Sequence, residues 1–143
     1  MDELQHLEKV AQELIEAFEI QTPPVPIESM LQRPKEGMWE EVNVNQLSGT
    51  FLSLKDKYSP RMSMARLLAR HVASCDWGRS RDVMKILRKN EDYIRAFARM
   101  IVMPAEMVRE LSSGARNPVA MSMQFEVPEE DARLRLHEIL QQG

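Results

Sequence analysis

The stretch RMSMARLLARHVASC, Arg61–Cys75, decides how the rest of the chain is read. It follows Ser59-Pro60, a good helix start with Ser as N-cap and Pro at the first helical position. Within it Met64, Leu68 and Val72 recur at helical spacing, which assigns them to the core. Arg66 and Arg70 are one turn apart and share another face of the same helix. Two readings of that face stay open. Either the arginines are simply solvated, or together with Arg61 they form a site for a carboxylate or other anion. His71 and Cys75 form a second i, i+4 pair. Two potential ligands without a third and fourth make a poor metal site, so both are expected against the core or at its edge. No acid to orient His71 and no oxyanion donor accompany Cys75, which argues against a nucleophile.

Working outward, 143 residues suit one domain, or one domain with a small appendage. Apolar residues at 43% and charged residues at 29% are ordinary for a soluble globular chain. No run of apolar residues is long enough to span a membrane. The opening MDELQHLEKV is acidic and amphipathic, unlike a signal peptide. One Cys rules out an internal disulfide framework and fits the reducing cytoplasm, the expected location. Eleven Met point to an adaptable core. Five scattered Gly offer no phosphate loop.

Net charge is −3, but it is unevenly spread. Residues 1–53 hold 3 basic and 10 acidic side chains, residues 54–100 hold 12 and 5, and residues 101–143 hold 4 and 7. Either the acidic first third packs beside the basic middle, or the middle presents a basic surface to an acidic partner or nucleic acid.

Hydrophobic periodicity predicts a helix over residues 2–19 and a short one through Ile27, Met30 and Leu31, after a break at Pro23, Pro24 and Pro26. MWEEVNV (38–44) and LSGTFLSLK (47–55) read as two short strands of a hairpin. Beyond the helix from Pro60, Ser80 is expected to cap a helix through Val83, Met84, Ile86 and Leu87. Tyr93, Ile94, Phe97 and Ile101 mark a further helix that Pro104 ends. From Ala105 the pattern is helix, turn, helix, turn, helix.

Several segments, in order, resemble the ImmA/IrrE family of zinc metallopeptidases. AQELIEAF…PPVPIESMLQ resembles the family's opening, and LSGTFLSL its sheet strand. EDYIRAFARMIVMPAEMVREL resembles the E-x-x-A-N-x-F-A-x-x-L-L-M-P helix, and VAMSMQFEVPEEDARLRLHEI the A-x-x-F-x-V-S…A-x-x-R-L tail. The family's working motif, R-F-T-L-A-H-E-L-G-H, falls on RMSMARLLAR. Arg61, Ser63 and Ala65 match. The first zinc His is Arg66, the catalytic Glu is Leu67 and the second zinc His is Arg70, so HExxH is replaced by Arg66-Leu67-Leu68-Ala69-Arg70. The third ligand falls in the Glu91–Ile94 region, with Tyr93 or Asp92 in its place. Arg has no lone pair for a metal and remains protonated, and Leu cannot accept a proton.

The resemblance therefore implies an α+β, mainly helical fold. Zincin-like helices would pack on a small antiparallel sheet over residues 1–103, with a helix-turn-helix-like extension over 104–143. It implies a catalytically inactive pseudo-peptidase, with no metal and no cofactor. Such a protein would act by protein binding in the regulation of a helix-turn-helix repressor or mobile element. A DNA-associated regulator using the basic middle segment is the alternative, and a peptidase with a relocated site a third reading. The last helix begins Pro128-Glu129-Glu130-Asp131. Those carboxylates suit the helix dipole and oppose phosphate contact, although Arg133 and Arg135 follow.

Overall fold

In the computed structural model, which describes residues 2–44 and 57–141, the chain folds into nine α-helices among the described residues. α1 (Glu3–Ala17) opens with a capping box, in which the Asp2 side chain accepts from the Gln5 backbone and the Gln5 side chain accepts from the Asp2 backbone. It buries Leu7, Val10, Ala11, Leu14 and Ile15, the stripe that its periodicity requires. α2 (Ile27–Gln32) follows the prolines. α3 (Ser59–Ser74) and α6 (Glu91–Val102) pack on each other through the centre of the molecule, and α1 packs on the other side of α6. α4 (Asp76–Arg79) and α5 (Val83–Leu87) bridge them. α7 (Ala105–Glu110), a 3-10 turn at Ser113–Ala115, α8 (Pro118–Phe125) and α9 (Glu129–Gln141) complete the chain, with α9 resting on α8 and α6.

The expected α+β architecture is corrected. Among the described residues there is no strand, so zincin-like helices on an antiparallel sheet do not describe this molecule, and neither does a metallopeptidase fold. Residues 47–55 lie outside the described residues. Residues 38–44 are described, and they are irregular for a physical reason. The Trp39 indole is buried and donates through Nε1 to the Leu31 carbonyl at 3.2 Å, and the Val42 N–H donates to the same oxygen at 3.0 Å. Groups that a strand would offer to a neighbour instead satisfy the open end of α2. Trp39 also stacks on Phe18, with ring centroids 6.1 Å apart. Apolar residues that alternate in the sequence serve here to plug a corner between α1 and α2.

Two caps also differ from expectation. Ser59 is the first helical residue of α3 rather than its cap, which is Tyr58. Ser80 donates back to the Trp77 carbonyl at 2.9 Å, and α5 starts from Asp82 in the left-handed region, at φ 60°. Gly78 is where α4 meets α3 most closely. A Cβ at this position would lie 1.8 Å from the Val72 carbonyl oxygen, so no larger residue fits without moving the backbone.

The segment expected as an appended extension is joined to the first helix by buried charge. Arg135 of α9 has no solvent exposure. Its Nη1 and Nη2 pair with both carboxylate oxygens of Glu8 on α1, the latter at 2.7 Å, and its Nε donates to the Met103 carbonyl at 2.8 Å. Glu138, one turn on, accepts from Arg99 of α6 at 2.7 and 3.3 Å. Both guanidiniums make the planar, two-pronged contact that Arg favours. Among the described residues no helix is long and apolar enough to cross a membrane.

Candidate functional site: a cationic cleft beside α3

Met62, Met64, Ala65, Leu68, Ala69 and Val72 turn one side of α3 into the core, which leaves its other side to Arg66, Leu67 and Arg70. Arg66 is half-buried and donates from Nη2 to Ser63 Oγ at 3.0 Å. Burial pushes its guanidinium below the usual value, Arg95 and Arg70 push the same way, and Asp131 opposes them. It nonetheless remains a cation at neutral pH. Arg66 thus lies within electrostatic reach of two other guanidiniums, Arg70 on α3 and Arg95 on α6, and of the Asp131 carboxylate, and Arg95 itself pairs with Asp92 at 3.3 Å. Leu67 packs against the edge of the core.

Arg70 is exposed, and its Nη2 lies 3.7 Å from the Glu91 carboxylate at the start of α6. With side chains 49% and 65% exposed, that pair is loose and contributes roughly 0–1 kcal/mol. Beside it a cleft of about 370 Å³ opens between α3, α5 and α6. Ala73, Met84, Leu87 and Ile94 line it with apolar surface, and Arg70, Arg88 and Glu91 stand around its mouth. Arg88 is exposed and has no carboxylate partner among the described residues.

The expected anion-site trio does not come together. Arg61 is directed to the end of α8 instead. Its Nε and Nη2 donate to the carbonyls of Phe125 and Glu126 at 3.1–3.3 Å. It therefore satisfies the C-terminus of α8, where a cation complements the helix dipole. Burial lowers its pKa, opposed by Glu126 and Glu28.

Tyr93 is also elsewhere. Its hydroxyl donates to Glu3 Oε1 at 3.1 Å, beside the Lys89–Glu3 pair, on the α1 side of α6. Glu91, two residues earlier and therefore about 200° round the helix, faces α3 instead. In the Glu91–Ile94 region it is thus Glu91, not Tyr93, that meets the Arg70 position. Counting thirteen residues back from Pro104 along the E-x-x-A-N…M-P pattern also reaches Glu91, a signal that was available in the sequence.

His71 is half-buried, with its pKa lowered by burial. Cys75 is buried and donates from Sγ to the Val72 carbonyl at 3.2 Å. No three His, Cys, Asp or Glu side chains gather at one point among the described residues, so this pair gains no further ligand there. In the last helix Arg135 is spent on Glu8, and Arg133 pairs with Glu130 one turn back. Arg135 is therefore closed to a phosphate, while Arg133 stays largely exposed. Comparisons with protein-family models, with curated proteins and with solved structures each find no match.

Proposed function

We propose that this chain is a non-catalytic regulatory protein that captures a protein partner through the α3–α6 cationic face. The observation that carries the reading is an apolar cleft with Arg70 and Arg88 at its mouth, next to Arg66 on the outer face of α3. Guanidiniums and a leucine occupy the face where a metal-dependent hydrolase would need neutral imidazoles and a carboxylate base. What this face can do is bind carboxylates, with orientation set by the planar forks of Arg and contact area supplied by the cleft.

The partner class comes from the sequence resemblance to the ImmA/IrrE family, in the helical segments and not in a sheet. Members of that family act on helix-turn-helix repressors encoded near them. The proposed role is to hold such a repressor, or to shield it from an active peptidase, without cutting it. DNA association is the second reading. The basic middle segment supports it, whereas Arg135 of α9 is buried against Glu8 and offers nothing to a phosphate.

The test mixes the purified chain with the helix-turn-helix repressor encoded beside it. Complex formation is followed by sedimentation, and the intact mass of the repressor is checked after incubation with and without zinc. A stable complex with the repressor uncut supports the proposal. A repressor that is cleaved, or that sediments alone at every concentration tested, contradicts it.

A further inference from the structure

We infer that the α3–α5–α6 cleft is a docking groove for an acidic amphipathic helix, and that Glu91 is the internal competitor which that helix displaces. The inference rests on the protein-binding function just proposed and specifies the chemistry of the segment bound. The floor is apolar, made by Met84, Leu87 and Ile94 with Ala73 at its base, and Met84 and Ile94 remain partly open to solvent. Its volume of about 370 Å³ lies at the low end of the range for small-molecule sites, about 300–1,000 Å³. Open at the mouth, it suits apolar side chains projecting from one face of a partner's helix.

Charge selects among such helices. Arg70 and Arg88 stand at the mouth, and Lys85 is exposed on the same short helix as Met84. A helix with carboxylates flanking its apolar stripe would meet these cations as the stripe enters the cleft. Nucleic acid fits less well, because an apolar floor gives phosphate nothing.

Glu91 reaches Arg70 at 3.7 Å with both side chains about half exposed or more. The pair is therefore cheap to break, and an incoming carboxylate can take its place on Arg70. Removing the Glu91 charge should strengthen binding of the same helix that loss of Arg88 weakens.

The experiment uses the full chain and fluorescent synthetic peptides of roughly 14 residues, about four helical turns. One has leucines at i, i+3, i+4 and i+7 with glutamates between, a second has lysines for the glutamates, and a third keeps the glutamates with serines for the leucines. Binding is read by anisotropy. The leucine–glutamate peptide should bind at least about tenfold more tightly than either control. Met84→Ala with Ile94→Ala, and separately Arg88→Glu, should each weaken it several-fold, while Glu91→Gln should tighten it. Circular dichroism melting confirms that each variant is folded, and Arg88→Glu, at an exposed unpaired site, keeps the test alive should the cleft pair unfold.

Equal binding of the serine and leucine peptides would overturn the inference, as would binding of a 20-base-pair duplex in place of any peptide. If repressor capture depends on Arg66 and Arg70 but ignores the Met84, Ile94 and Arg88 variants, the groove assignment fails while the proposed function stands. If the repressor is not captured at all, the function fails, and the peptide measurements still decide the groove.

Discussion

Replacing Arg135 with Ala is the sharpest perturbation of the fold. The side chain has no solvent exposure, its carboxylate partner Glu8 is only 12% exposed, and its Nε satisfies the Met103 carbonyl at the end of α6. Truncation leaves Glu8 in the interior without its guanidinium, removes a hydrogen bond at a helix end and opens a cavity where the long stem lay. Breaking a buried pair in this one-sided way costs about 3–5 kcal/mol. That is a large part of the roughly 5–15 kcal/mol that holds a domain together. With a urea dependence of about 1–3 kcal/mol per molar, the midpoint should fall by roughly 2 M. Arg133→Ala serves as the comparison, since that arginine forms an exposed pair with Glu130 and its loss should cost at most about 1 kcal/mol. Exchanging both members of the buried pair for apolar residues, Glu8→Leu with Arg135→Met, should cost less than Arg135→Ala alone. Urea melts of the four proteins decide the matter. An Arg135→Ala variant as stable as Arg133→Ala would refute the claim that α9 is locked to α1 by a buried ion pair.

Gly78→Ala should destabilise by more than about 2 kcal/mol in the same urea assay, because its Cβ would sit 1.8 Å from a backbone oxygen of α3 and neither partner is a flexible side-chain end. Arg61→Ala should cost about 1.5–3 kcal/mol through its lost bonds to the end of α8, with Arg61→Lys recovering only part. His71 has a folded pKa below its unfolded value, since burial disfavours the cation. The unfolded chain then takes up the proton first, so stability is full above about pH 6.5 and falls as pH drops through the folded pKa. His71→Gln should flatten that part of a stability–pH profile, and an unchanged slope would show that His71 is not responsible. With Arg66, Leu67 and Arg70 in the motif positions, the purified protein is expected to carry no stoichiometric zinc. Elemental analysis finding about one zinc per chain, lost on His71→Ala, would contradict this.

The helices were legible in the sequence because their apolar residues recur with a clear period. α3 buries Met64, Leu68 and Val72, the residues assigned to the core, and α6 buries Phe97 and Ile101 of the set that marks it. The expected strand at 38–44 shows where pattern alone fails. Apolar residues broken by polar ones suggest a strand there, but the Trp39 indole N–H and the Val42 backbone N–H close the end of α2, a contact between separate segments that no local pattern encodes.

The site was half legible. The i, i+4 spacing placed Arg66 and Arg70 together on one face of α3. It could not show that Arg61, five residues before Arg66 and on the same helix, reaches across to α8 instead. Nor did a stretch that reads E-D-Y-I announce which side of α6 would face α3. Glu91 stands where Tyr93 or Asp92 is expected, and about 200° of helix separates it from Tyr93. Arg135 was equally opaque, since an arginine among charged neighbours in the last helix reads as a solvated side chain until its carboxylate, 127 residues earlier, is brought beside it.

The central claim, capture of a partner through the α3 arginines without chemistry, is tested most directly by Arg66→Gln with Arg70→Gln. Glutamine is the better replacement, because glutamate at these positions would sit beside Asp131 and Glu91 and confuse binding with folding. Titration calorimetry of the double variant against the helix-turn-helix repressor proposed as its partner, at low and at physiological salt, should show affinity reduced roughly tenfold or more and its salt dependence largely lost, with the thermal melt nearly unchanged. A folded double variant that binds with the parent's affinity and the parent's salt dependence would contradict the account.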